Sequence, residues 1–273
     1  ITELPDTVVW YRKHFTLSEE DTGGKVFIEF EGARQGADVY VNGRHTGFSD
    51  NGVMAFGFDI TPMVTDGDNV ISVRCDNSWT YRDRRRDSRY QWNDRNFNAN
   101  YGGLPKNVYL HLTGKLHQTL PLYSNLGTTG TYVYATDYDI AGHKATVHVE
   151  SQVRNDDTKA HTITLDVRMK DVDGTEVAHF TGETVTMQPG ETRTVAARQP
   201  VEGLRFWSWG YGYLYTVETS LSEGSVCRDC VATRTGFRKT AFGDGKFWLN
   251  DRVMMVHGYA QRTSNEWPGT GMS

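Results

Sequence analysis

A side-chain period of two runs through this chain almost from end to end, and the β-strand is the regular backbone that produces it. Val26, Ile28 and Phe30 fall on one face, with Glu29 and Glu31 on the other. Val147, Val149, Ser151 and Val153 alternate with Thr146, His148 and Glu150. Ile163, Leu165, Val167 and Met169 alternate with Thr162, Thr164, Asp166, Arg168 and Lys170. Each run buries one side and wets the other, and no long stretch keeps a helical period. Turn signals lie between the runs: Asn42-Gly43, Asp66-Gly67-Asp68, Asp173-Gly174, Pro189-Gly190 and Asp244-Gly245. Short strands at such spacing predict an all-β chain built of β-sandwiches.

The 273 residues suit one large domain or two ordinary ones. Composition shifts near residue 120, from Asn, Arg, Trp and Tyr to a Val/Thr alternation between Lys144 and Gln199 in which aromatics nearly vanish. Pro121 sits in a turn-like join between His117 and Gly130. We therefore expect one sandwich over residues 1–120 and a second over 121–240. Residues 241–273 form a tail that opens with a hairpin, Lys246–Leu249 against Val253–Val256. A net charge of −5 argues against an electrostatic nucleic-acid binder. No apolar run approaches the roughly 18–20 residues of a membrane span. Three cysteines make no disulfide scaffold. Ile1 to Trp10 lacks a basic start and an apolar core, and the chain begins without Met. The expectation is a mature or trimmed product, whose missing leader says little about compartment.

Candidate chemistry is sparse. Cys227-Arg228-Asp229-Cys230 offers two thiolates with no second pair at finger spacing, so no metal is expected. The run Arg82-Asp83-Arg84-Arg85-Arg86-Asp87 reads as a solvated loop, with a ligand role left open by its position. It precedes Tyr90-Gln91-Trp92-Asn93-Asp94-Arg95-Asn96-Phe97-Asn98-Ala99-Asn100-Tyr101. Aromatic faces stack on sugar rings, and planar amides and Arg satisfy paired hydroxyls. That composition suits a carbohydrate site, and equally a loop closed by Asx-turns. His111, His117, His148 and His161 read as strand or turn residues. No nucleophile elbow, phosphate loop or metal constellation is present, and no cofactor is expected. The residues alone support two β-sandwiches, with sugar binding as one open reading.

A family resemblance extends this. The first 110 residues resemble the N-terminal sugar-binding jelly-roll of glycoside hydrolase family 2, the β-galactosidase, β-glucuronidase and β-mannosidase family. The carrying motifs are Trp10-Tyr11-Arg12-Lys13-His14-Phe15, then Ala37-Asp38-Val39-Tyr40-Val41-Asn42-Gly43 with Gly47, then Asp59-Ile60-Thr61. Asn69 through Asn77 and Tyr101-Gly102-Gly103-Leu104 with Val108 and Leu110 follow in order. The second sandwich resembles the family's immunoglobulin-like domain, ending in the aromatic Leu204–Tyr215 segment and Thr235-Gly236-Phe237-Arg238. Phe247-Trp248-Leu249-Asn250-Asp251 and Gly258 resemble the start of its (β/α)₈ barrel.

The resemblance implies a hydrolase of O-glycosidic bonds whose two catalytic glutamates lie well beyond a point equivalent to Ser273. The chain is then expected to hold a jelly-roll, a spacer sandwich and about one barrel strand, with no catalytic residue of its own. Glu266 in Asn265-Glu266 is read as a decoy, because no second carboxylate motif follows it and glycoside hydrolysis needs a pair. The implied partner is a carbohydrate, bound through the barrel. Asn96, Asn98, Asn100, Arg262, Asn265 and Trp267 are the expected substrate contacts. Ala260 and Arg262 stand where galactosidase and glucuronidase members carry Asn and His, Lys106 where Arg is usual, and Asn250-Asp251 where Asn-Gly is usual. These departures leave the sugar open. The glycan-degrading class implies a periplasmic or extracellular location, and the exposed tail predicts self-association. The competing readings are a stand-alone pair of carbohydrate-binding modules and a β-sandwich interaction protein without enzymatic activity.

Overall fold

The computed structural model describes residues 7–78, 80–88 and 102–258. The chain is all-β: among the described residues the longest helix has five residues. It divides into two compact units, the first formed by residues up to 113 together with 122–127, the second by 114–121 and the described residues from 128 on.

The first unit contains β1 (Val8–Leu17), β2 (Lys25–Phe30), β3 (Gly36–Val41), β4 (Arg44–Ser49), β5 (Phe56–Asp59), β6 (Gly67–Asp76) and β7 (Val108–Thr113). Two short helices accompany them, α1 (Glu19–Gly23) and α2 (Tyr123–Leu126). One antiparallel sheet runs β1-β6-β3-β4 and the other β5-β2-β7. Their inner faces meet in one core, where the alternation of β2 puts Val26, Ile28 and Phe30 at 0–3% exposure and Phe30 stacks on Phe56 at 4.9 Å between ring centroids.

The sequence motifs explain the joints of this unit. Asn42 and Gly43 both take positive φ and close the β3–β4 hairpin. The Asn42 amide donates to Asn69 Oδ1 at 2.8 Å, and Val70 N–H donates to Asn42 Oδ1 at 2.8 Å, so the turn is tied to β6. Asp59 Oδ1 accepts from the Thr61 amide and hydroxyl, at 3.0 and 2.6 Å, and Val26 N–H donates to Thr61 Oγ1 at 2.9 Å. The end of β5 is thereby stapled to β2.

The second unit contains β8 (Leu116–Gln118), β9 (Thr131–Asp139), β10 (Lys144–Asn155), β11 (His161–Lys170), β12 (Glu176–Met187), β13 (Thr192–Val201), β14 (Tyr215–Glu223) and β15 (Val226–Thr235). β10 pairs with β13 on one edge and with β9 and then β8 on the other. The facing sheet runs β12-β11-β14-β15. Val147, Val149 and Val153 meet Ile163, Leu165, Val167, Met169 and Val217 in a single core. The stretch 117–130, expected as a turn-like join, holds β8 and α2. The backbone of Leu116–Gln118 completes the ladder of β10, a long-range pairing that the local turn signals conceal.

Three further strands form an antiparallel meander, β16 (Thr240–Gly243), β17 (Lys246–Leu249) and β18 (Arg252–Met254). The expected hairpin is present but shifted. Its second strand is Arg252–Met254, with Leu249 opposite Arg252, while Met255 and Val256 lie outside it at 77% and 71% exposure. The reason is the tight turn: Asn250 and Asp251 take φ of 49° and 61°, so pairing resumes at residue 252. Asp tolerates that left-handed conformation, which accounts for its standing in the position usually given to Gly.

Candidate functional site

The first unit builds one end of its sandwich from buried polar groups. The chain leaving β6 folds back over the outer face of the β1-β6-β3-β4 sheet, and its charged residues fix it there. Arg84 donates two parallel hydrogen bonds to the Asp38 carboxylate, at 2.8 and 2.6 Å, with its guanidinium over the Phe48 ring at 4.6 Å. Arg74 and His45 approach the same carboxylate at 3.6 and 3.2 Å. Arg84 N–H donates to Asp50 at 3.0 Å, and the Tyr81 hydroxyl donates to Asp50 as well. The expectation of a solvated run over residues 82–87 is therefore corrected at Arg84, because Asp38 and Asp50, distant in sequence, supply its partners.

The Arg84 fork holds the Asp38 carboxyl below its usual range, against the opposing effect of burial. Burial would raise the Asp76 carboxyl, but bonds from Ser78 and Arg74 overcome it and the net shift is downward. Burial, and then the Asp50 carboxylate, push the Tyr81 phenol up. A general acid for glycoside cleavage needs a carboxyl that keeps its proton near neutrality. These carboxyls are held ionised, so they act as a mount. What they mount is the chain that leaves β6, over residues 81–88. Next to the end of β6, a Cβ on Gly102 would overlap the Asn77 side chain, and one on Gly103, whose φ is +91°, would overlap Tyr11. Arg34 and Gly103 exchange backbone hydrogen bonds at 2.8 and 2.9 Å beside them.

Against this mount lies a polar cleft of about 330 Å³, lined by residues that include Asp50, Asn51, Arg85, Arg86, Ser124 and Asn125. Its amides, hydroxyl and guanidinium groups are of the kind that pair with sugar hydroxyls or a carboxylate. Sequence reasoning missed Asp50, Asn51, Ser124 and Asn125, because α2 reaches this surface from beyond β7 and no local spacing signals it. Asn96, Asn98, Asn100, Arg262, Asn265 and Trp267, together with Glu266, lie outside the described residues.

The second unit presents a groove of about 770 Å³ between the 205–211 loop and the β17–β18 hairpin. The hairpin turn is docked there: Asn250 donates to the Trp207 carbonyl at 3.0 Å and accepts from Lys239 N–H at 3.0 Å. Arg238 covers the Trp207 ring at 5.0 Å. Trp209 remains 78% exposed and Tyr211 50%. Cys227 and Cys230 are exposed on β15, and among the described residues no group of three or more His, Cys, Asp or Glu converges as a metal site would require. His161 is buried at the start of β11 between Asp157 at 2.9 Å and Glu223 at 3.1 Å, a paired structural histidine.

Comparison with known proteins assigns this arrangement to a class. The galactose-binding domain-like family of glycosyl hydrolase 2 matches residues 2–110, and glycosyl hydrolases family 2 matches residues 131–238. The chain is 39% identical over 269 residues to a beta-glucuronidase of Formosa agariphila and 29% identical over 257 residues to a beta-galactosidase of Bacteroides ovatus. These alignments cover 96% and 93% of this chain, but the chain spans only 27% of each relative. A solved beta-glucuronidase from glycoside hydrolase family 2 superposes with a TM-score of 0.89 at 37% identity, covering 98% of this chain and 28% of that one. The chain belongs to glycosyl hydrolase family 2.

Proposed function

We propose that this chain is the non-catalytic, sugar-facing front of an exo-acting β-glycosidase that degrades carbohydrate. Its preferred substrates are taken to be β-glucuronides, and the chemistry to reside in polypeptide beyond these residues. The single observation that carries this reading is the likeness to a beta-glucuronidase along nearly the whole chain, over about a quarter of that relative's length. A β-galactoside preference is the second reading, favoured by the weaker likeness to a beta-galactosidase. In this proposal the second unit is an immunoglobulin-like spacer, and the β17–β18 hairpin leads into a (β/α)₈ barrel. Trp209, Phe242, Met255 and Val256, each more than two-thirds exposed, supply apolar surface for that following domain to cover. Asn96, Asn98, Asn100, Arg262, Asn265 and Trp267 supply sugar contacts. A glycan-degrading role goes with export to the periplasm or beyond.

The test compares the 273-residue chain with the full-length gene product on aryl β-glucuronides and β-galactosides. The full-length protein should turn over the glucuronide faster, and the chain alone should be inert because it lacks the carboxyl pair. Turnover by the chain alone, surviving Glu266→Gln, would overturn the proposal.

A further inference from the structure

The two exposed thiols of β15, Cys227 and Cys230, stand three positions apart. In a regular strand that spacing sends two side chains to opposite faces, because the side-chain period is two. β15 is not regular. Leu221 of β14 stands opposite Asp229 and Ser222 opposite Cys227, so Arg228 is an extra residue, a β-bulge. The bulge resets the alternation: Cys227 stands opposite Ser222 and Cys230 opposite Ser220, on one face of the hairpin. Leu221, between those serines, is fully buried, so the serines and both thiols lie on the outer face.

Groups on the inner face hold the bulge in place. Arg228 donates to Glu223 at 2.8 Å, and the same carboxylate pairs with the buried His161 at 3.1 Å. Gln118 N–H donates to Asp229 Oδ2 at 2.8 Å. The Cys227 thiol donates to the Asp229 carbonyl at 3.5 Å, in the peptide that joins Asp229 to Cys230, so it leans along the strand toward the second thiol. Two strand steps separate the Cα atoms by about 6–7 Å. That is the upper end of the roughly 4.4–6.8 Å that a disulfide spans. β15 ends its sheet, and both sulfurs are open to a reagent from solvent.

We propose that Cys227 and Cys230 form a reversible disulfide across this bulge, by exchange with a small-molecule disulfide of the glutathione type. The thiolate of one cysteine attacks a sulfur of the incoming disulfide, forming a mixed disulfide and expelling one thiolate. The thiolate of the other cysteine then attacks the protein sulfur of that mixed bond, closing the Cys227–Cys230 bond and expelling the second thiolate. Two protein thiols are oxidised, the small disulfide is reduced to two thiols, and the protons lost by the cysteines end on the released thiolates. The bond lies on the exposed side of an edge strand, so reductants reach it and the exchange runs in both directions. Closed, it fixes the bulge and with it the seat of Asp229 on Gln118. Cys75 is buried in the core of the first unit and takes no part.

The experiment incubates the reduced, purified chain with oxidised glutathione at mild alkaline pH, traps the remaining thiols by alkylation and maps the disulfides by mass spectrometry. A single Cys227–Cys230 link within one chain is expected, reopened by dithiothreitol without unfolding. Glutathione adducts that persist on both cysteines, links between chains, or two thiols left unreacted overturn the proposal. The double variant Cys227→Ser, Val226→Cys separates the bulge geometry from closeness in sequence, because Val226 stands opposite Glu223 and faces away from Cys230. Its closure should be slower by about tenfold or more. An equal rate overturns the proposal. Should the variant fail to fold, the mapping of the unsubstituted chain decides alone.

Discussion

Replacing Gln118 by Met takes an amide out of the second unit's interior while keeping the side chain's length. Gln118 is 2% exposed, and Ser151 and Thr219 beside it are fully buried. Its Oε1 accepts from Ser151 Oγ at 2.9 Å and Thr219 Oγ1 at 2.7 Å, and its Nε2 donates to the Thr219 carbonyl at 3.0 Å. Two of these partners have an alternative, because Thr219 Oγ1 already reaches the Val231 carbonyl at 3.2 Å and Ser151 Oγ reaches Thr131 at 3.1 Å. The Thr219 carbonyl loses its amide donor in a place water does not reach. A net hydrogen bond contributes about 1 kcal/mol, and a buried acceptor left unmade costs about 1–3 kcal/mol. With the hydroxyls turned to their other partners, the expected loss is about 2–3 kcal/mol. At about 3 °C per kcal/mol for a unit of this size, the transition drops by about 6–9 °C. Gln118→Glu should cost more at neutral pH, because it sets a carboxylate where Nε2 now lies 3.3 Å from Asp229 Oδ2. Calorimetry of the purified chain, with urea titration as a second probe, measures both. A loss under about 0.5 kcal/mol for Gln118→Met, the range of a surface change, would refute the network argument.

Burial pushes the Cys75 thiol up to about 12, whereas Cys227 and Cys230 are exposed, so a thiol reagent at mild alkaline pH should modify two sites quickly and the third only on unfolding. Gly103→Ala puts a Cβ onto Tyr11 at a backbone φ of +91° and should destabilise the first unit by about 1–3 kcal/mol, read as a lower melting transition. Asp38, Asp59 and Asp76 titrate below the ordinary 3.8 in the folded chain. Their stabilisation is present above that value and is lost as pH falls through the folded values, so the first unit should lose stability progressively in acid below about pH 4, and Asp38→Asn should flatten that slope. Arg84→Leu removes the fork on Asp38 and should increase proteolytic cutting within residues 82–88, and an unchanged cutting rate would count against the mount.

Much of the fold was legible because strands and tight turns are local chemistry. The alternation of Val26, Ile28 and Phe30, and of Ile163 through Met169, names the buried face before any partner is known, since the side-chain period belongs to the strand itself. Asn42-Gly43 and Asp59-Ile60-Thr61 act through backbone groups a few atoms away, and the structure uses them as their composition implies. The family motifs could be ordered along the chain for the same reason. The rest depends on residues that meet only after the chain has crossed the sandwich. Leu116–Gln118 is three residues of no distinct local type until β10 offers it a ladder. Arg84 looked like one member of a charge run, and its pairing with Asp38 spans 46 positions. Gln118 finds Thr219 across 101 positions, and the cleft at Asp50 is completed by Ser124 and Asn125 from beyond β7. The exposure of Leu110 shows the divide most directly. It stands opposite the buried Ile28, and only the tertiary structure shows that Leu110 itself stays 38% exposed. Local periodicity specifies which side of a strand seeks burial, but the identity of the covering group is a long-range property of the folded chain.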